Sequence, residues 1–137
     1  MIAPNVIQAD IVADAKSAAT ITALLASASE VRESEYQGAD WNYPTIRAAI
    51  ISHFPITGPE PCDLAALTFA FRAYTEGGSS KANSVILGAI NNRYHRKIFE
   101  AATWICFMRS AGLTNPTRVT EKLWRGEALF EGTIYPK

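Results

Sequence analysis

Behind Pro4-Asn5, apolar residues recur at Ile7, Ile11, Ala15, Ala18, Ile21 and Leu25, while Gln8, Asp10, Asp14 and Lys16 fall mostly off that line. The spacing is helical and predicts an amphipathic helix with one docked face and one wet face. Asn5 is a candidate N-cap, and Thr20 a candidate cap for a second turn, giving one helix or a helix and a half. From Tyr43 the period changes. In "PTIRAAIISHF" Ile46, Ala48 and Ile50 share a face. In "DLAALTFAFRAYTE" Leu67, Phe69, Phe71 and Ala73 alternate with Thr68, Ala70, Arg72 and Tyr74. The loop between them carries Pro55, Pro59 and Pro61, so the pair predicts a long hairpin with a projecting tip.

Gly77-Gly78 breaks the second strand, and Ser79-Ser80 caps the next element. Ala82, Val85, Ile86, Ala89 and Ile90 then predict a helix with one apolar face, ending near Asn91-Asn92 and running into "RYHRKIF". "TWICFMRS" reads as a third strand, "AGLTNPT" as a turn and "EKLWRGEALFEGTIY" as a fourth strand. In the last, Trp124, Ala128, Phe130 and Ile134 share one side, and Arg125, Glu127, Glu131 and Thr133 the other. Gly126 and Gly132 fall on the apolar side, where they mark bulges or close backbone approach. The order α-β-β-α-β-β predicts a single α+β domain over residues 1–137. It is an antiparallel sheet of about four strands with two helices on one face.

Composition agrees with one packed domain: 137 residues, 48% hydrophobic and 19% charged. Thirteen basic residues balance thirteen acidic ones. That argues against a dedicated nucleic-acid binder and suits a chain that assembles, since self-repulsion is small. "ALLASAS" has the small residues of a cleavage site. However, Asp10 and Asp14 interrupt the segment, and nothing basic precedes Lys16. No run approaches the roughly twenty apolar residues of a membrane span. The reading is a soluble protein made and kept in the cytoplasm, with Cys62 and Cys106 as free thiols, far apart and buried or half-buried.

The candidates for chemistry are weak. Glu33 and Glu35 sit beside Arg32 without a partner histidine or metal-ligand spacing. His53, His95 and Lys97 could support metal-independent RNA cleavage, but a histidine in a basic turn after a helix explains His95 as well. Two histidines and two cysteines never pair at zinc-ligand spacing. "EGGSSKANS" lacks the Walker spacing, and no nucleophile-elbow motif occurs. No catalytic, cofactor-binding or metal-binding residue is therefore assigned.

Charge placement says more. Glu30, Glu33, Glu35 and Asp40 crowd one segment, and Arg93, Arg96 and Lys97 another. Two solvated loops would account for them. The sharper reading joins the two segments across a repeated head-to-tail contact, where opposite charges set register. Tyr36 and Trp41 are aromatics of the kind that anchor interfaces. The expected interface residues are thus Arg32, Glu33, Glu35, Tyr36 and Trp41, then Phe54, Ile56 and Glu60 at the proline-rich tip, then Arg93, Arg96 and Lys97.

Several of these pieces resemble the tail terminator, or tail-completion, family of tailed bacteriophages. They are the helix "ADIVADAKSAATITALLAS", the strand entry "RESEYQGADWNYPTIR", the strand-to-helix passage "LTFAFRAYTEGGSSKAN" and the closing "WRGEALFEGTIY". The resemblance runs from about Gln8 to Tyr135 and lies in layout rather than in any catalytic motif. It implies a structural virion protein of the tail and neck, with no cofactor and no reaction. Such a protein forms a ring, generally a hexamer, on the head-proximal end of the tail tube. It ends tube polymerisation and gives the head-side connector or stopper protein a docking surface. The implied partners are other copies, the tube protein and the connector. No membrane or sequence-specific nucleic acid is implied, although genomic DNA would pass through the ring. Another neck ring component and a small ribonuclease are the competing readings.

Overall fold

A computed structural model describes residues 2–34, 41–56 and 64–137. The chain opens with α1 (Pro4–Ser17) and α2 (Ala19–Thr22), then a 3-10 turn (Ala28–Glu30). The strands β1 (Val31–Glu33), β2 (Thr45–Pro55) and β3 (Ala65–Glu76) lead into α3 (Lys81–Tyr94). Four further strands follow: β4 (Lys97–Glu100), β5 (Trp104–Leu113), β6 (Thr117–Arg118) and β7 (Leu123–Pro136). All the strands join one sheet in the order β1-β2-β3-β7-β5-β4, with β6 pairing β7. Among the described residues only β1 and β2 run parallel; the other pairings are antiparallel.

This corrects the expected four-stranded antiparallel sheet with two helices. Among the described residues the sheet is mixed, has seven strands, six along its main path, curled into a half-barrel, and carries three helices. The missed strands are short, which is why periodicity does not show them. β1 has three residues inside the charged segment, β4 has four directly after a helix, and β6 has two. Alternation needs about four residues before it separates from chance. The segment "AGLTNPT" is only partly a turn, because β5 continues to Leu113 through a bulge between Ser110 and Gly112.

The helix limits also move. Ala3 occupies the N-cap of α1 without a side-chain hydrogen bond, and Pro4 is the first helical residue. Proline suits that position because its missing N–H would be unpaired there anyway. Asn5 therefore lies inside the helix. Ala18 is extended, which separates α1 from α2 and places Thr20 within α2 instead of at its cap. At α3, Ser79 Oγ accepts the Lys81 N–H at 3.1 Å, while Ser80 makes no side-chain cap.

The core lies between the helices and one face of the sheet. The stripe Ile7, Ile11, Ala15, Ala18 and Ile21 is buried as the helical spacing requires. So is the alternating set Leu67, Phe69, Phe71 and Ala73, which meets Ala128, Phe130 and Ile134 of β7. Phe71 stacks on Tyr94 with centroids 5.1 Å apart, and Phe130 meets both rings edge-on. Each such pair adds about 0.5–1.5 kcal/mol beyond its area.

The buried face of α3 is Asn83, Ile86, Leu87, Ile90 and Tyr94, so the expected apolar stripe is rotated: Ala82 and Val85 face solvent. A polar residue holds a core position because Asn83 Nδ2 donates to Ala73 O at 2.9 Å, Thr75 Oγ1 at 3.2 Å and Trp124 O at 3.3 Å. Both β7 glycines mark close approach. A Cβ on Gly126 would collide with Asn83 and come within 2.6 Å of Leu87; one on Gly132 would lie 2.6 Å from the Phe107 carbonyl oxygen.

Candidate assembly surface

The acidic segment begins at the β1 edge of the sheet, and its first carboxylate turns inward. Glu30 is buried, lies 3.8 Å from Arg32, and accepts from Asn42 Nδ2 at 3.5 Å. Its carbonyl oxygen accepts from Thr45 Oγ1 at 2.7 Å and from Arg47 at 3.1 Å. Burial pulls the Arg47 guanidinium below its ordinary pKa, and the Glu30 charge pushes it partly back. Trp41 covers this cluster. The Arg47 guanidinium lies 4.2 Å from its ring, and Tyr74 meets the ring edge-on at 4.9 Å. Trp41 therefore caps an internal charge while keeping 39% of its surface exposed. Glu33 remains half-buried at the end of β1, and Arg32 is also half-buried. Glu35 and Tyr36 lie outside the described residues.

The basic segment sits at the opposite edge, between α3 and β4. Arg93 is committed internally. It grips Asp14 with two hydrogen bonds of 2.9 Å, and Tyr94 donates to the same carboxylate at 2.7 Å. The hydrogen bonds to Asp14 raise the Arg93 pKa, and burial raises that of the Tyr94 phenol. Arg96 and Lys97 are exposed, Arg96 in the left-handed region at φ 58, where the chain turns from helix to strand. A cleft of about 370 Å³ opens here, lined by Asp14, Arg93, Lys97 and Phe99 among others. Of its charged lining residues, Asp14 and Arg93 are paired with each other and Glu100 with Lys137.

Phe54 and Ile56 stand on the hairpin expected from the sequence, which Ile56 closes by donating its N–H to Leu64 O at 3.0 Å. Phe54 is 55% exposed. Glu60 lies outside the described residues. One surface feature was not anticipated. On the sheet face away from the helices, Ile98 of β4 lies opposite Phe107 of β5, and Ile105 lies opposite Tyr135. Ile98 is 66% exposed and Phe107 51%. Alternation in "KIFE" and "TWICFMRS" could have flagged two apolar faces, but without the sheet neither face could be identified as the outer one. Further along this face, Arg72–Glu127 at 2.8 Å and Arg109–Glu131 at 3.0 Å form cross-strand ion pairs that fix register more than they stabilise.

The residues of the ribonuclease reading do not converge. His53 is in β2 and Lys97 in β4, with β3, β7 and β5 between them. Four strand spacings amount to about 19 Å around the sheet. His95 Nδ1 accepts the Ser110 N–H at 2.9 Å, pinning the helix end to β5. Among the described residues no cluster of three His, Cys, Asp or Glu could hold a metal ion. Cys106 is buried and its pKa is pushed up to about 12 by desolvation. Cys62 lies outside the described residues. In a Cys62→Ser variant, Cys106 is expected to resist thiol reagents at pH 8 until denaturant is added, because its thiolate is scarce and unreachable. Mass spectrometry after alkylation checks this, and rapid labelling without denaturant contradicts the buried position.

No protein-family profile and no curated protein matches the chain.

Proposed function

We propose that this chain is a structural virion protein of a tailed bacteriophage. It is read as a tail terminator that forms a ring on the head-proximal end of the tail tube, stops tube growth and presents a surface to the head-side connector. One observation carries the reading. The sheet order places β1, which carries Glu33 and opens the acidic run of the sequence, and β4, with Arg96 and Lys97 at its start, at opposite edges of the domain. A head-to-tail ring needs two different, complementary patches on opposite sides of one chain. The apolar patch of Ile98 and Phe107 beside the basic edge supports the same reading, since exposed apolar residues in contact mark interaction surfaces. The resemblance in layout supplies the phage context.

Light scattering of the purified chain should give the mass of a closed ring, six copies in the expected case. Labelling the protein in phage particles should then place it at the junction of tube and neck. A monomer at all concentrations rejects the assembly reading, and a ring located on the head side of the neck assigns it to the connector instead.

A further inference from the structure

We propose that neighbouring copies join edge to edge, the β4 strand of one copy pairing with the β1 strand of the next, so that their sheets become continuous. This rests on the ring-forming reading above and specifies its contact. Among the described residues both strands lie at the ends of the sheet, and each has a single sheet neighbour there, β5 for β4 and β2 for β1. An end strand leaves a row of N–H and C=O groups directed away from its partner, and such rows are templates for pairing with another chain. The short lengths, four residues and three, limit the junction to a few backbone hydrogen bonds.

The strand directions define the junction. From β1 to β4 the sheet makes one parallel step and then four antiparallel ones. An even number of reversals leaves β1 and β4 running the same way. A second copy rotated about an axis along the strands therefore brings its β1 beside β4 in parallel. It leaves the same two edges open at the ends of the pair, so the operation repeats until the ring closes.

Side-chain placement matches face by face. On β1, Glu33 shares the helix-side face with buried Val31, because both pair with core positions of β2, Ala48 and Ile46. On β4, Lys97 and Phe99 lie on that same face, opposite buried Met108 and Cys106 of β5. A continuous sheet keeps these faces in common, so the Glu33 carboxylate and the Lys97 ammonium fall on one side of the junction. They are within the reach that long side chains have across neighbouring strands. Arg32 and Glu100 share the other side. Pairing two β4 strands about a two-fold axis keeps faces in common as well, but it sets Lys97 against Lys97 or Phe99 and gains no opposite charge there.

Two measurements on the full chain test this. In a Cys62→Ser background, the pair Glu33→Cys and Lys97→Cys should give, on mild oxidation, a ladder of dimer, trimer and larger species ending at the ring size, on a non-reducing gel. Either substitution alone should give no ladder. By light scattering in low salt, Glu33→Lys should fall to monomer mass at concentrations where the unchanged chain is assembled. The double reversal with Lys97→Glu should recover the assembled mass, which also shows that the reversed chains fold. An unchanged chain that is monomeric throughout rejects the ring reading itself. An assembled chain that neither ladders nor responds to reversal keeps the ring and rejects the edge pairing. Dimers formed by Lys97→Cys alone as readily as by the pair mean two-fold β4 contact and overturn the proposal.

Discussion

Asn83→Asp is expected to cost about 3–5 kcal/mol at pH 7, the cost of an uncompensated charge in a protein interior. The change keeps the shape and exchanges one donor group for an acceptor. In the native chain Asn83 is fully buried, and its Nδ2 points at two backbone carbonyl oxygens, those of Ala73 and Trp124, and at the Thr75 hydroxyl. A carboxylate there would be buried and would face the lone pairs of those oxygens, so its folded pKa would rise well above the ordinary value of about 3.9. The sign of the pH dependence follows. The folded variant binds a proton more tightly than the unfolded chain does, so the variant is least impaired in acid. Its deficit grows as pH rises above about 4 and levels off above the raised pKa. Asn83→Ala removes the donor without adding charge and should cost about 1–3 kcal/mol with no such pH dependence. Urea unfolding at pH 4 and pH 7 separates the two, and equal, pH-independent losses would mean that Asn83 does not sit among carbonyls.

Asn83 also shows where sequence patterning stops being informative. The spacing at Ala82, Val85, Ile86, Ala89 and Ile90 finds the helix but not its rotation, because polar Asn83 occupies the core and apolar Val85 is outside. The rule that apolar residues face inward fails where a buried side chain holds two strands and a helix together by hydrogen bonds. The long elements were legible. The stripe of α1 and the alternation of β3 and β7 each repeat over enough residues to fix both type and face. Gly126 and Gly132 were legible as bulges or close approach because they interrupt an apolar face, and the structure has close approach at both.

The edges were not legible, for a related reason. β1 has too few residues for a period, the four of β4 follow directly on a helix, and their pairing partners lie 15 and 11 positions away in register, at Ile46 and Met108. Yet the edges are where the charge runs fall. Those runs were visible as composition, and the fold divides them. Glu30 and Arg93 turn inward, to the Thr45–Arg47 cluster and to Asp14, whereas Arg96 and Lys97 stay exposed and Glu33 half-buried. Sequence could pick out the segments but not sort their members, since burial of a charge depends on partners far along the chain, such as Asp14 for Arg93.

The same long-range pairing sets the second large effect. Trp104→Ala is expected to destabilise the fold by about 3–5 kcal/mol, the range for removing a large aromatic from a core. Trp104 is fully buried and stacks on Phe99 with centroids 4.9 Å apart. Its Nε1 donates to Asp10 at 2.7 Å, so one side chain fastens β5 to both β4 and α1. Asp10 was expected on the wet face of α1, and it is the acceptor of a docking bond instead. Trp104→Phe retains most of the ring and gives up the hydrogen bond, so it should cost less, about 1–2 kcal/mol. Asp10→Ala should add little in the Trp104→Phe background, because the bond is already gone, but should cost roughly 1 kcal/mol alone. Chemical denaturation of the four species closes this cycle. Additive losses from Asp10→Ala and Trp104→Phe would mean that the two do not interact. Helix α1 would then be docked through its apolar stripe and the Asp14 bonds to α3, without help from Trp104 Nε1.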